Sequence, residues 1–305
     1  EDLIEKSLDF IHDIQADENY SDFGDSDDGV IIKFTLSKNN YYKYVLNLGE
    51  AYYNKKFTKV SDSFNEVYFF VGDYKVSCLD EKPKSKVYND GGYCIINENK
   101  TFLLFDVGNL GFGSLATHGH ADALSIIYKY NNVPFFVDSG TYIYNGEKDK
   151  RNYYRGTQAH NTLIYKDMNQ SEIKGPGLWG RKANASLNEY RINEEYLQFI
   201  GEHDGYSPHI HKREIKYYRA NEEVEITDYF DDMAKINFIL NEDAKIIFRN
   251  KNTIEISCDN EIIVLKTTGI INVEQVTVSR YFTKEVETQR IVINNNFNIN
   301  SKTVT

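Results

Sequence analysis

His118 and His120 stand one residue apart in Thr117-His118-Gly119-His120-Ala121-Asp122, with a carboxylate two residues further on. The segment is broken by glycine and lies between two apolar runs, Phe102–Val107 and Ala123–Tyr130. In an extended or loop backbone, residues i and i+2 point the same way, so both imidazoles can reach one centre. Neutral imidazole is the commonest metal ligand, and its unperturbed pKa lies closest to neutral pH. The stretch therefore offers metal ligation and proton transfer.

Two further residues can converge with them. Asp138 ends the apolar run Pro134–Val137 and opens the turn Ser139-Gly140. His160, in Gln158-Ala159-His160-Asn161-Thr162, precedes the run Leu163–Tyr165. All four positions fall at strand ends, where adjacent strands bring side chains together. Two histidines, a carboxylate and an open position suit zinc. The plainer alternative is a set of hydrogen-bonded loop histidines. Phe105-Asp106-Val107-Gly108 followed by Thr117–Asp122 also resembles the metallo-β-lactamase motif. Ala123, however, stands where that family carries its second-metal histidine, and the downstream runs read as β where that fold needs helices.

The elements that must position these residues are mostly strands. Leu3, Ile4, Leu8, Ile11 and Ile14 keep a helical spacing, and Tyr41–Phe57 suggests a second short helix. From Glu66 onward the pattern turns to strands: Val67–Val71, Tyr93–Ile96, Phe102–Phe105 and Leu124–Tyr130 are short, aromatic and β-branched. Asn131-Asn132 before Val133–Val137 reads as a hairpin. Alternating runs continue through Glu214–Tyr218, Glu223–Phe230, Ile236–Leu240, Ile246–Phe248, Thr253–Ser257, Ile262–Lys266 and Ile291–Ile293. Many short strands with little helix predict antiparallel sheets packed face to face. No repeat of a propeller or solenoid period is present. The acidic stretch Asp22–Gly29 faintly suggests a calcium loop, but counting from Asp25 the twelfth position is Leu36 rather than Glu, so it reads as a structural turn.

The 305 residues suffice for one large all-β unit or two ordinary domains, and 41% hydrophobic residues can build a sizeable core. No apolar run approaches the roughly 20 residues a membrane helix needs. A net charge of −11 with no basic face argues against nucleic acid as a partner. Cys78, Cys94 and Cys258 form no disulfide framework; buried free thiols are the simpler reading, with Cys78–Cys94 the one pairing left open. The chain opens Glu-Asp-Leu without Met, which reads as a processed chain or a piece of a longer protein.

A wider pattern carries a family resemblance. Gly119-His120-Ala121-Asp122-Ala123-Leu124-Ser125 is followed by Val137-Asp138-Ser139-Gly140-Thr141-Tyr142 and Tyr144. Arg151-Asn152-Tyr153-Tyr154-Arg155-Gly156-Thr157-Gln158-Ala159-His160-Asn161-Thr162, Gln170-Ser171, His203-Asp204-Gly205-Tyr206 and Arg213 come next. Gly24-Asp25-x-Asp27-Asp28-Gly29 fits near the start. In order, spacing and type, over most of residues 20–230, this resembles the heparinase II/III-like polysaccharide lyases, which include alginate and oligoalginate lyases.

The resemblance implies a helical toroid followed by an antiparallel β-sandwich. It places residues 1–20 as a helical remnant of the toroid and 21–305 as the sandwich. It implies cleavage of an acidic, uronate-containing polysaccharide by β-elimination, with an active site between the two domains. His118 would be the catalytic, substrate-facing histidine. His120, Asp138 and His160 would hold one structural zinc. Arg151, Arg155, Tyr144 and Tyr154 are candidates for binding substrate. On this reading the 305 residues alone are nearly inactive, because a catalytic tyrosine and an Asn or His come from the toroid. A periplasmic or secreted setting fits such a substrate. The competing readings are a non-catalytic carbohydrate-binding or structural β domain, and a zinc hydrolase.

Overall fold

The computed structural model describes residues 3–15, 23–26, 41–54, 65–72, 83–296 and 301–304. Among the described residues three helices come first: α1 (Leu3–Gln15), α2 (Tyr41–Tyr53) and α3 (Asn65–Val71). The predicted strand at Val67–Val71 is thus a helix. Its run Val-Tyr-Phe-Phe-Val has strand-like composition, but it does not join a sheet, and Phe69 and Phe70 are exposed. Composition alone cannot separate a short strand from a short helix.

Strands follow almost without interruption. They are β1 (Lys86–Tyr88), β2 (Tyr93–Glu98), β3 (Thr101–Asp106), β4 (Ile126–Tyr130) and β5 (Val133–Phe136), then, after the short helix α4 (Lys148–Tyr154), β6 (Leu163–Ile164), β7 (Ile173–Gly175) and β8 (Leu178–Trp179). The second half holds β9 (Ala185–Ile192), β10 (Tyr196–Tyr206), β11 (His209–Tyr218), β12 (Glu223–Tyr229), β13 (Met233–Ile239), β14 (Lys245–Arg249), β15 (Thr253–Cys258), β16 (Glu261–Thr267), β17 (Ile270–Tyr281), β18 (Lys284–Asn296) and β19 (Ser301–Val304). The chain is mainly β, built from antiparallel sheets, as the sequence predicts. One sheet runs β1-β2-β3-β4-β5, and a second runs β14-β15-β16-β19-β12-β11-β10-β9. A third, β17-β18-β13-β6, stands beside them. The hairpin at Asn131-Asn132 forms, both residues taking positive φ (50° and 65°), which Asn tolerates better than most residues.

The first sheet is covered on both faces. Leu103, Phe105, Ile126 and Tyr128 share the main core with Leu197, Phe199, Ile215, Tyr217, Val224 and Ile226 of the second sheet. Ile95, Phe102, Leu104 and Ile127 pack on the other face with Ile14, Phe10 and Phe23. Two-sided burial explains why β3 reads as a continuous apolar run rather than an alternating one. β10 and β11 alternate instead, one face inward. Helix α1 is fixed there by Asp13, whose carboxylate accepts from the Tyr88 hydroxyl at 2.6 Å and the Lys84 amide at 3.1 Å. Cys94 and Cys258 are buried free thiols, whereas Cys78 lies outside the described residues. Among the described residues no helix is long and apolar enough to cross a membrane.

Candidate active site

Three segments meet at one end of the first sheet. The β3–β4 connection (107–125) carries His118 and His120, the chain leaving β5 carries Asp138, and the connection from α4 to β6 carries His160. Buried Asn161 ties them together. Its carboxamide nitrogen donates to the carbonyls of Ile126 at 2.7 Å and Val137 at 3.0 Å, and its oxygen accepts from the Ile239 amide at 2.6 Å. The Arg213 guanidinium, also buried, donates to the carbonyls of Leu124 at 2.7 Å and Asn161 at 2.8 Å. The loops bearing the histidines are therefore pinned by polar groups reaching in from β11 and from the segment before β6.

His120, Asp138 and His160 are all buried, and one potential ligand atom from each lies within 4.8 Å of the others. His160 Nδ1 lies 2.6 Å from Asp138 Oδ2, and the Gly140 amide donates to Asp138 Oδ1 at 2.8 Å. Burial alone would raise the Asp138 pKa, but His160 beside it holds it below the usual carboxylate value. Burial would likewise lower that of His160, yet Asp138 raises it. The second nitrogen of each imidazole, Nδ1 of His120 and Nε2 of His160, is buried without a hydrogen-bond partner among the described residues. Buried polar nitrogens left unpaired are costly. Two such nitrogens beside a carboxylate fit a metal ion, and the donor set suits zinc chemistry.

His118 stands apart from this cluster. Its side chain is 73% exposed, against 0% for His120. It meets the Tyr144 ring edge-on at 5.8 Å between centroids. A cavity of about 560 Å³ opens beside it, lined among others by Tyr93, Asp106, Asp122 and Leu187. Desolvation raises the carboxyl pKa of both Asp106 and Asp122, and repulsion between them adds to this for Asp106.

Asp25, which the sequence places in a turn and in the family-like pattern Gly24–Gly29 but to which it assigns no site role, also meets these residues. Its carboxylate lies 2.8 Å from His120 Nε2, 3.2 Å from His118 Nδ1 and 2.6 Å from Arg151 Nη2, with Arg151 Nη1 also on Oδ1. Burial opposes its ionisation, but His120 and Arg151 outweigh this and hold its pKa at about 2. The contacts span 93 to 126 residues of sequence, so local spacing could not reveal them.

The other predicted residues divide. Arg151 and Tyr144 sit with His118, the guanidinium 5.5 Å from the Tyr144 ring centroid. Arg155 is buried behind the site, donating to the carbonyls of Pro176 and Gly175 and stacked 4.8 Å from the Trp179 ring. Tyr154 is buried too, and its hydroxyl lies 2.9 Å from Thr277 Oγ1 and 2.8 Å from Glu285 Oε1.

Comparison with known proteins decides the family. The family model described as "Heparinase II/III-like, C-terminal" matches residues 80–301. The chain belongs to the heparinase II/III-like family. Its fold is shared with the heparan sulfate lyase HepC from Pedobacter heparinus, at a TM-score of 0.71 and 17% identity over 98% of this chain and 45% of that one. A structure of heparinase III is similar too, with a TM-score of 0.66 and 16% identity over 99% of this chain and 47% of that one. A heparinase III with methylated lysines gives 0.70 and 17%, covering 98% and 45%. The chain thus spans less than half the length of these heparinase-type structures. No curated protein sequence matches it.

Proposed function

We propose that this heparinase II/III-like domain forms one wall of a polysaccharide lyase site, acting on an acidic, uronate-containing polymer by β-elimination. The observation that carries this reading is the division between His118 and its neighbours. His118 is exposed at a cavity, while His120, Asp138 and His160 form a buried cluster behind it. β-Elimination needs a base for the proton α to the uronate carboxylate and an acid for the departing glycosidic oxygen. It adds no water, unlike glycoside hydrolysis by a carboxylate pair.

In this reading His118 moves that proton or offsets the charge that develops on the carboxylate. His120, Asp138 and His160 hold one zinc. When bound, the zinc supplies a rigid anchor for the loop that presents His118. Arg151 adds positive charge beside His118, Tyr144 flanks the sugar, and Arg155 and Tyr154 support that wall from within. A helical domain supplies the opposite wall and the remaining catalytic groups.

The test uses the full-length parent with uronate polymers. A lyase creates an unsaturated uronate that absorbs in the ultraviolet, and replacing His118 with Ala lowers the rate by about 10²–10⁴-fold. Reducing ends without that absorbance would mean hydrolysis. Binding without either product would favour a carbohydrate-binding domain.

A further inference from the structure

We infer that Asp25 is the positioning residue of this site, fixing the tautomers of His118 and His120 in opposite senses. An ionised carboxylate only accepts hydrogen bonds. Both Asp25 oxygens act as acceptors here, because the Arg151 guanidinium, which can only donate, grips each of them in a fork. Each imidazole nitrogen facing Asp25 must therefore carry the proton. For His120 that atom is Nε2, at 2.8 Å from Oδ1. Its Nδ1 is then a bare lone pair, and this is the buried nitrogen that has no hydrogen-bond partner among the described residues. For His118 the facing atom is Nδ1, at 3.2 Å from Oδ2. Its Nε2 is then the basic nitrogen.

One carboxylate thus prepares two different atoms for two tasks. His120 offers Nδ1 to a metal, with Asp25 behind it as the outer carboxylate that orients a ligating histidine. His118 offers Nε2 as a proton acceptor, with Asp25 behind it as the group that stabilises the protonated ring. Arg151 keeps Asp25 charged and in place, so its guanidinium acts through Asp25. The inference rests on the functional reading above, in that His118 and the metal are the groups being positioned.

The deciding measurement is nitrogen NMR of the whole chain labelled on its seven histidines, at a pH where the imidazoles are neutral. His118 is expected to carry its proton on Nδ1 and His120 on Nε2. His118 protonated on Nε2, or His120 on Nδ1, overturns the inference. Zinc affinity measured by chelator competition gives a second, independent reading. Asp25→Asn keeps the shape but turns one acceptor into a donor; Asp25→Ala removes both. Either is expected to weaken zinc by about 10–100-fold, and wild-type affinity in both overturns the inference. If the wild-type chain holds no zinc, the metal assignment fails and the tautomers alone judge Asp25. If neither variant folds, the wild-type tautomers still decide.

Discussion

His203 and His211 face each other across β10 and β11, with His203 Nε2 3.0 Å from His211 Nδ1. The Gly205 amide donates to His203 Nδ1 at 3.0 Å, so His203 carries its proton on Nε2 and donates it to His211. His211 in turn donates from Nε2 to Asp228 Oδ1 at 2.6 Å. Asp228 also receives Arg213 Nε at 2.7 Å and Nη2 at 3.1 Å. Every proton in this buried chain has one place to be, and the chain ends on the arginine that grips the Leu124 and Asn161 carbonyls.

Stability will fall as the pH drops below the ordinary histidine range. Burial first, then the neighbouring His211 and Arg213, pushes the His203 pKa well below 6.5. Burial also lowers that of His211, with Asp228 opposing. Both rings resist protonation more in the folded chain than in the unfolded chain, which takes up protons below about 6.5. The stabilisation is therefore complete above that pH and is lost as pH falls, by up to about 1.4 kcal/mol per pH unit for each ring. Denaturant midpoints for wild type and His203→Gln, followed from about pH 8 to about pH 5, test this. Parallel pH profiles would sink it.

Asp228 adds a second, more acidic window. Burial opposes its charge, but Arg213 and His211 prevail and hold its pKa at about 2, below its ordinary 3.8. Its stabilisation is present above about pH 4 and fades as pH falls toward 2, roughly 2 kcal/mol in all. Arg213→Met leaves that carboxylate buried without its counter-charge, held by the His211 hydrogen bond, at a cost of up to about 3–5 kcal/mol. The double variant Arg213→Met, Asp228→Leu removes both charges and is expected to be the more stable of the two by urea unfolding. An equal or larger loss in the double variant would contradict the ion-pair account.

Much of the fold and part of the site were legible in the residues. The strands announced themselves by alternation and by the Asn131-Asn132 turn, and the group His118, His120, Asp138 and His160 by strand-end position, while the separation of His118 from the other three came from the family resemblance. Val67–Val71 misled because a short aromatic run fits either element and nothing local says whether a sheet edge will receive it. The roles of Asp25, Asn161 and Arg213, all three within the family-like pattern, were hidden for another reason. Their partners lie dozens of residues away, and an Asp in a turn, an Asn before a strand and an Arg on a strand are common. Only the topology that brings residue 25 against residues 118, 120 and 151 gives that Asp its meaning.

Gly140 should not accept a side chain. It takes φ of +82°, and a Cβ there would stand 2.1 Å from the Ser279 carbonyl oxygen. Its amide also holds Asp138 Oδ1. The left-handed backbone alone costs a non-glycine residue about 1–2 kcal/mol, and the clash must shift either β17 or the Asp138 turn. Gly140→Ala is therefore expected to lower the melting temperature and to weaken metal binding together. Gly146, also at positive φ (104°) but with only the Ile143 side chain within reach of a Cβ, is the control. Gly146→Ala should leave metal affinity unchanged.

Metal removal separates the two histidine roles. A ligand that binds only the folded chain adds about 2.7 kcal/mol at 100 times its dissociation constant. Zinc should thus raise the unfolding midpoint of the wild-type chain, and a chelator should abolish the increase. His160→Ala takes away a buried nitrogen from the cluster and leaves Asp138 Oδ2 without its imidazole partner. Its midpoint is expected to be lower and indifferent to zinc. His118→Ala removes an exposed ring that lies outside the cluster. It should keep the zinc response in full while losing turnover in the parent protein. A His118→Ala chain that no longer responds to zinc would place His118 among the ligands and undo the division of labour between the two histidines.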